Sequence, residues 1–179
     1  MQADTCKERS TMNKNRMSNP VWYGILSGLI FAIYMFPING AKGDSMLPTM
    51  TGSDVCVNIR INPLLRINRG DIIMADKEIN GKRHVMQKRV IGLPGDDIAI
   101  HDNKIYINEE LLKEDYIQGD TSVKNLSDID IRLANDQYYI LGDNRADSYD
   151  SRYFGPICRD DIKYKLIFTY KPLFDLKLY

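Results

Sequence analysis

No charged residue occurs between Val21 and Ile38 (VWYGILSGLIFAIYMFPI), whereas from Gly43 onward apolar residues come in short runs broken by turn formers. The first pattern predicts a helix. Eighteen residues of helix rise about 27 Å, close to the hydrocarbon thickness of a bilayer. The run has no polar face, so it does not read as a helix laid on a soluble core. Trp22, Tyr23 and Tyr34 suit the two interfaces. Before it stand Lys7, Arg9, Lys14 and Arg16 against Asp4 and Glu8, which predicts a cytoplasmic N-terminus. A cleaved leader begins in the same way. However, the run is long for a leader core, and a cut after Ala41 would put Asn39 where a small residue is wanted. The organisation expected is a basic cytoplasmic tail over 1–20, a single N-terminal transmembrane helix over 21–38, and an extracytoplasmic domain over 39–179.

The second pattern predicts strands over Val55–Ile59, Asp71–Ala75, His84–Ile91, Asp97–Ile100, Lys104–Ile107, Tyr138–Leu141 and Tyr164–Tyr170. Asp97–Asn108 alternates on both sides of Asp102-Asn103, a hairpin signal. No long amphipathic helix follows the anchor, so the outer domain reads as all-β. Tyr116–Asn135 is polar and weakly patterned, and reads as a long surface connection or insertion.

Composition narrows the picture. The formal net charge is zero and hydrophobic residues make up 44%, which excludes a disordered chain and gives no sign of nucleic-acid binding. Cys6, Cys56 and Cys158 form no C-x-x-C pair, so neither a zinc site nor a dithiol motif is expected. Cys56 reads as a buried free thiol. A Cys56–Cys158 disulfide is the alternative outside the cytoplasm. Nothing calls for a metal or an organic cofactor.

Three segments could carry chemistry. Gly43-Asp44-Ser45-Met46-Leu47-Pro48-Thr49 holds a serine in a loop where Gly43 would let a substrate backbone approach and Pro48 would stiffen the turn. A serine needs a base. His101 belongs to a hairpin tip, and nothing marks His84 as special. Lys88 lies in Val85-Met86-Gln87-Lys88-Arg89-Val90. On a strand it shares a face with Met86 and Val90, where lost hydration lowers the pKa of an amine. A neutral amine can take a serine proton; an ammonium cannot. The alternative is a lysine that snorkels to water. Gly142 to Arg152 is dense in turn formers and opposite charges. It reads either as a salt-bridged surface loop or as a support that orients the amine.

Together these segments resemble the bacterial type I signal peptidases. Gly43–Thr49 is similar to that family's S-M-x-P-T nucleophile box, and Arg69-Gly70-Asp71-Ile72-Ile73 to its R-G-D-I-V strand. Lys88-Arg89-Val90-Ile91-Gly92-Leu93-Pro94-Gly95-Asp96 is similar to its K-R-x-x-G-x-P-G-D box, and Gly142–Arg152 to its G-D-N-R-x-x-S-x-D-S-R box. The four stand in the family's order after one N-terminal anchor. The resemblance implies two antiparallel β-sheets and a Ser/Lys dyad, with Ser45 as nucleophile and Lys88 as base. It implies that Ser148 hydrogen-bonds the Lys88 amine and that Asp150 and Arg152 form a supporting ion pair. Asp143 and Arg145 would hold the same loop, and the Ser45 N–H would stabilise the oxyanion. Gly43 stands where some relatives carry a serine that donates a second bond, so water or a backbone group would supply it here. Substrates would be exported preproteins presented at the lipid bilayer, with small residues at −1 and −3. The substrate-binding residues expected are Gly43, Asp44, Met46, Pro48, Met86 and Gln87, with extended substrate pairing along Met86–Lys88. Met46, Leu47 and Met50 would form either an apolar rim or ordinary core. The rival readings are a self-cleaving repressor, disfavoured because a hydrophobic span replaces its DNA-binding domain, and a non-catalytic membrane accessory protein.

Overall fold

The computed structural model describes residues 20–121 and 128–171. The basic tail before Pro20 lies outside them, as does the centre of the 116–135 connection. Two compact units divide the chain, 1–33 and 34–179.

In the first unit the described residues belong to helix α1 (Pro20–Met35), of which none is buried. Pro20 opens the helix, where its missing N–H has no intrahelical role. Pro37 ends it, because the residue before a proline is pushed out of the helical region. Ile38 therefore belongs to strand β1 (Ile38–Gly40) rather than to the helix. The single helix expected over 21–38 is corrected accordingly. No helix among the described residues is long and apolar enough to cross a membrane.

The second unit is mostly β. Its strands after β1 are β2 (Val55–Arg60), β3 (Ile72–Ile79), β4 (Lys82–Gly92), β5 (Asp97–His101), β6 (Lys104–Ile107) and β7 (Glu110–Leu111). Then come β8 (Ile129–Arg132), β9 (Gln137–Leu141), β10 (Ile157–Cys158) and β11 (Ile162–Tyr170), with a short helix α2 (Ser151–Phe154) before β10. A seven-stranded sheet runs β1-β2-β11-β3-β4-β9-β10 and a four-stranded one β7-β6-β5-β8. The described strand pairs are all antiparallel. The β5–β6 hairpin turns at Asp102 and Asn103, both in the left-handed region, and β3–β4 turns in the same way at Asn80-Gly81.

Two cores explain the sequence of the central strands. Val90 and Ile140 enter one with Ile73, Ala75 and Ile162, while their neighbours Ile91 and Leu141 enter the other with Ile98, Ile100 and Ile105. The ends of β4 and β9 are buried on both faces and so read as unbroken apolar runs. A third cluster joins Ala41, Met46, Met50 and Cys56. Met46 and Met50 are thus core, not a rim. Cys56 and Cys158 are free thiols.

The 116–135 segment departs from the expected surface connection. Strand β8 lies inside it and pairs with β5, with Ile129 and Ile131 against the second core. Leu133 and Thr121 are buried.

Candidate active site

Four stretches build the site: the 43–50 loop and β4 hold Ser45 and Lys88, while the loop 142–150 after β9 and the 112–121 segment brace them. β4 carries Lys88. Lys88 stands opposite Ile73 on β3, and Met86 opposite Ala75, so both share the face that builds the first core. Lys88 is 4% exposed. Its Nζ donates to Ser45 Oγ at 2.7 Å. Burial pushes the Lys88 amine down from 10.5 to about 8, Asp150 opposing and Arg152 assisting, with Asp143 and Asp147 opposing further. At pH 7 about one amine in ten is then neutral.

The serine loop is held by its own turns and by the neighbouring loop. Leu47 N–H donates to the Asp44 carbonyl (3.1 Å) and Met50 N–H to that of Met46 (2.9 Å), which buries Met46 and leaves Ser45 half-buried at the bend. Asn144 clamps the bend twice, its N–H on the Ser45 carbonyl and its Nδ2 on the Asp44 carbonyl, both at 3.1 Å. Thr49 Oγ1 donates to Asp143 Oδ2 at 2.5 Å. The Ser45 N–H donates to no acceptor among the described residues. Gly142 packs against this bend. A Cβ there would lie 2.5 Å from the Ser45 carbonyl oxygen and 2.2 Å from Ser148 Oγ.

Charge pairs fix the loop. Asp143 takes both Nε (2.8 Å) and Nη2 (2.5 Å) of Arg89. Arg145 is fully buried; it pairs with Glu114 and donates to Thr121 Oγ1 (2.7 Å) and the Gly142 carbonyl (3.0 Å). Arg152 grips Asp150 through Nε (2.8 Å) and Nη2 (2.9 Å), and donates to the Thr121 carbonyl (3.0 Å) and the Arg145 carbonyl (2.9 Å). Asp150 also accepts the Gly142 N–H at 3.0 Å. A two-pronged guanidinium–carboxylate pair fixes orientation as well as distance.

Several residues stand elsewhere than expected. The Ser148 hydroxyl makes no bond to Lys88. It is buried without a hydrogen-bond partner, because its loop presses it against Gly142. Asp143 and Arg145 hold the loop through partners remote in sequence. A cleft of about 340 Å³ is lined by Asn39, Gly40, Lys42, Ser45, Met74 and Val85 to Lys88. Met86 and Gln87 line it as expected. Met46 does not, because its side chain fills the third core. Gly43 (φ +74°), Asp44 and Pro48 are exposed but do not line the cleft. Glu114, Tyr116, Gln118 and Thr121 were missed. Tyr116 lies over the Arg89 guanidinium at 4.0 Å, and Gln118 bridges Asn144. Glu114 offered a signal, being a carboxylate available to an arginine in the G-D-N-R run.

The alternation of β4 leaves its outer side open. Lys82 to Arg89 pair with β3, but β9 joins β4 only from Arg89 on, so among the described residues no strand covers Lys82–Lys88. No cluster that could hold a metal ion occurs among the described residues.

Comparison with known proteins shows the family. The family model described as "Signal peptidase, peptidase S26" matches residues 17–171. Signal peptidase I V of Bacillus subtilis (strain 168) is 30% identical over 167 residues, 82% of this chain and 95% of the relative. Signal peptidase I U of that strain is 33% identical over 68% of each chain. Signal peptidase I of Bacillus amyloliquefaciens is 28% identical over 96% of each. A crystal structure of a signal peptidase I from Enterococcus faecalis V583 covers 55% of this chain and 94% of its own, at 32% identity and a TM-score of 0.46. A match from residue 17 to residue 171 and relatives aligned over nearly their whole length place this chain in the signal peptidase family, peptidase S26.

Proposed function

We propose that this signal peptidase cuts preproteins with a Ser45/Lys88 dyad at the outer membrane surface. The observation that carries the reading is the 2.7 Å contact between Lys88 Nζ and Ser45 Oγ in a site that lowers the amine's pKa. Neutral Lys88 takes the Ser45 proton as Oγ attacks the scissile carbonyl. The oxyanion forms against the unused Ser45 N–H. Lys88 then passes its proton to the departing amine, and the acyl group stays on Ser45. Water, deprotonated by the same amine, releases the signal peptide and restores the serine.

The surrounding charges position rather than react. Asp150–Arg152, Asp143–Arg89 and Arg145–Glu114 fix the loop that carries Asn144 and Ser148. The unpaired Ser148 hydroxyl is the group available to orient the Lys88 amine once it carries a proton. Extended substrate pairs with the open side of β4 over Met86–Lys88, and small −1 and −3 side chains enter the cleft lined by Met74, Val85 and Gln87. The charge-free run over 21–38 anchors the chain in the bilayer, with residues 1–20 cytoplasmic and 39–179 outside. A 16-residue helix needs the flanking Phe36-Pro37 and interfacial aromatics to make up the span.

The test is cleavage of a model preprotein by detergent-solubilised protein beside Ser45→Ala and Lys88→Ala. Cutting after a small-x-small site, lost in both variants, is expected. If the parent binds the preprotein and leaves it intact, the accessory-protein reading replaces this one.

A further inference from the structure

Next to the dyad loop stands an aromatic surface that the chemistry above does not use. Tyr149 follows Ser148 directly and is 46% exposed; Tyr153 on α2 is 49% exposed. The Tyr149 ring lies 5.4 Å from that of Tyr153, 5.4 Å from that of Phe154 and 6.0 Å from that of His84. Phe154 packs on the first core, but among the described residues the two tyrosines stay about half exposed. An exposed group of rings beside a cleft is unusual for a monomer surface.

The register of β4 says what reaches it. By register His84, Met86 and Lys88 alternate with Val85 and Gln87, which share the Met74 side, although Met86 and Lys88 also border the cleft. A strand paired along the open side of β4 must alternate in the same way. With the −1 and −3 side chains in the cleft beside Gln87 and Val85, the −2 side chain falls beside Met86. The −4 side chain falls beside His84, against Tyr149 and Tyr153. We infer that His84, Tyr149 and Tyr153 form a specificity site for a bulky apolar or aromatic substrate side chain at −4. This rests on the pairing of substrate with β4 proposed above. The occupant is the substrate because the surface is continuous with the uncovered strand that leads to Lys88.

The experiment compares two peptides with the same Ala-x-Ala cleavage site, one with Phe and one with Ala at −4. The parent is expected to prefer Phe by about threefold to tenfold in kcat/KM, the size of one aromatic contact, and to do so through KM. Tyr149→Ala and Tyr153→Ala should each bring the ratio towards one, and Tyr149→Phe should keep it. Because Tyr149 adjoins Ser148, its alanine variant can lose the fold; Tyr153→Ala, on an exposed helix face, then supplies the reading. A parent indifferent to −4, or a preference that survives both alanine variants, overturns the inference and leaves the dyad intact. A parent that cuts neither peptide removes the cleavage reading itself, and this site with it.

Discussion

Gly142→Ala is the sharpest single perturbation of this site. The new methyl would stand 2.5 Å from the Ser45 carbonyl oxygen, whereas ordinary contact begins at 3.4 Å. Its other neighbours, Ser148 Oγ at 2.2 Å and Cβ at 2.6 Å, are locked by the Asp150–Arg152 pair and offer no easy retreat. The Ser45 loop must therefore give by nearly 1 Å. A displacement of that size at a reacting centre costs on the order of 100-fold in rate. Overpacking adds about 1–3 kcal/mol of destabilisation, too little to unfold a typical domain. The assay is kcat/KM on a model preprotein, with circular dichroism and a melting curve to show that the variant is folded. Gly52→Ala is the control, because nothing lies within 4 Å of a Cβ there. A folded Gly142→Ala protein with activity within threefold of the parent would refute the tight coupling of Gly142, Ser45 and Ser148.

Lys88 makes the other predictions pH-dependent. Parent activity should climb as pH rises through about 8 and then level off; a flat profile under constant substrate binding would sink the role of the neutral amine. The same depression costs stability. The folded pKa lies below the unfolded value, so the penalty, roughly 3 kcal/mol, is fully present below pH 8 and fades as pH approaches 10.5. Lys88→Met should therefore be inactive yet more stable than the parent at pH 7, the gap closing in alkali; a stability difference independent of pH would contradict this. Arg152→Ala leaves a fully buried Asp150 carboxylate without its partner, which costs about 3–5 kcal/mol. The melting point should fall by more than about 6 °C, with activity lost in step; an unchanged melting point and full activity would remove the bracing role.

Most of the β framework was legible because its signals are local. Alternation over Asp97–Asn108 and the Asp102-Asn103 turn specify that hairpin without help from the rest of the chain. Strand β8 was hidden for the opposite reason: its alternating Ile129 and Ile131 are diluted by Asp128, Asp130 and Arg132 on the solvent side. The end of α1 was misread because an apolar count treats Pro37 as one more hydrophobic residue, although it breaks the backbone pattern. Lys88 announced its buried face through Met86 and Val90. That it meets Ser45 did not follow, since the two are 43 residues apart. Glu114, 31 residues from Arg145, and Arg89, 54 from Asp143, illustrate the same limit. An ion pair fixed by topology leaves no trace in spacing, whereas a loop bond such as Asp150–Arg152 does.

The uncovered length of β4 has a cost outside catalysis. A bare strand is a template for any other extended chain, including a second copy of this one, and so invites aggregation. On the substrate pairing proposed above, a neighbour that capped this strand would close the enzyme to its substrate. Its far end instead carries Lys82 and Arg83, both exposed. Charged groups at the tip, Lys82 and the Arg83–Asp76 pair, disfavour docking of another copy while leaving the stretch nearest Lys88 free. On that proposal, solubility and catalysis are divided along one strand, a charged outer third guarding against self-assembly and an inner part kept open for a transient guest.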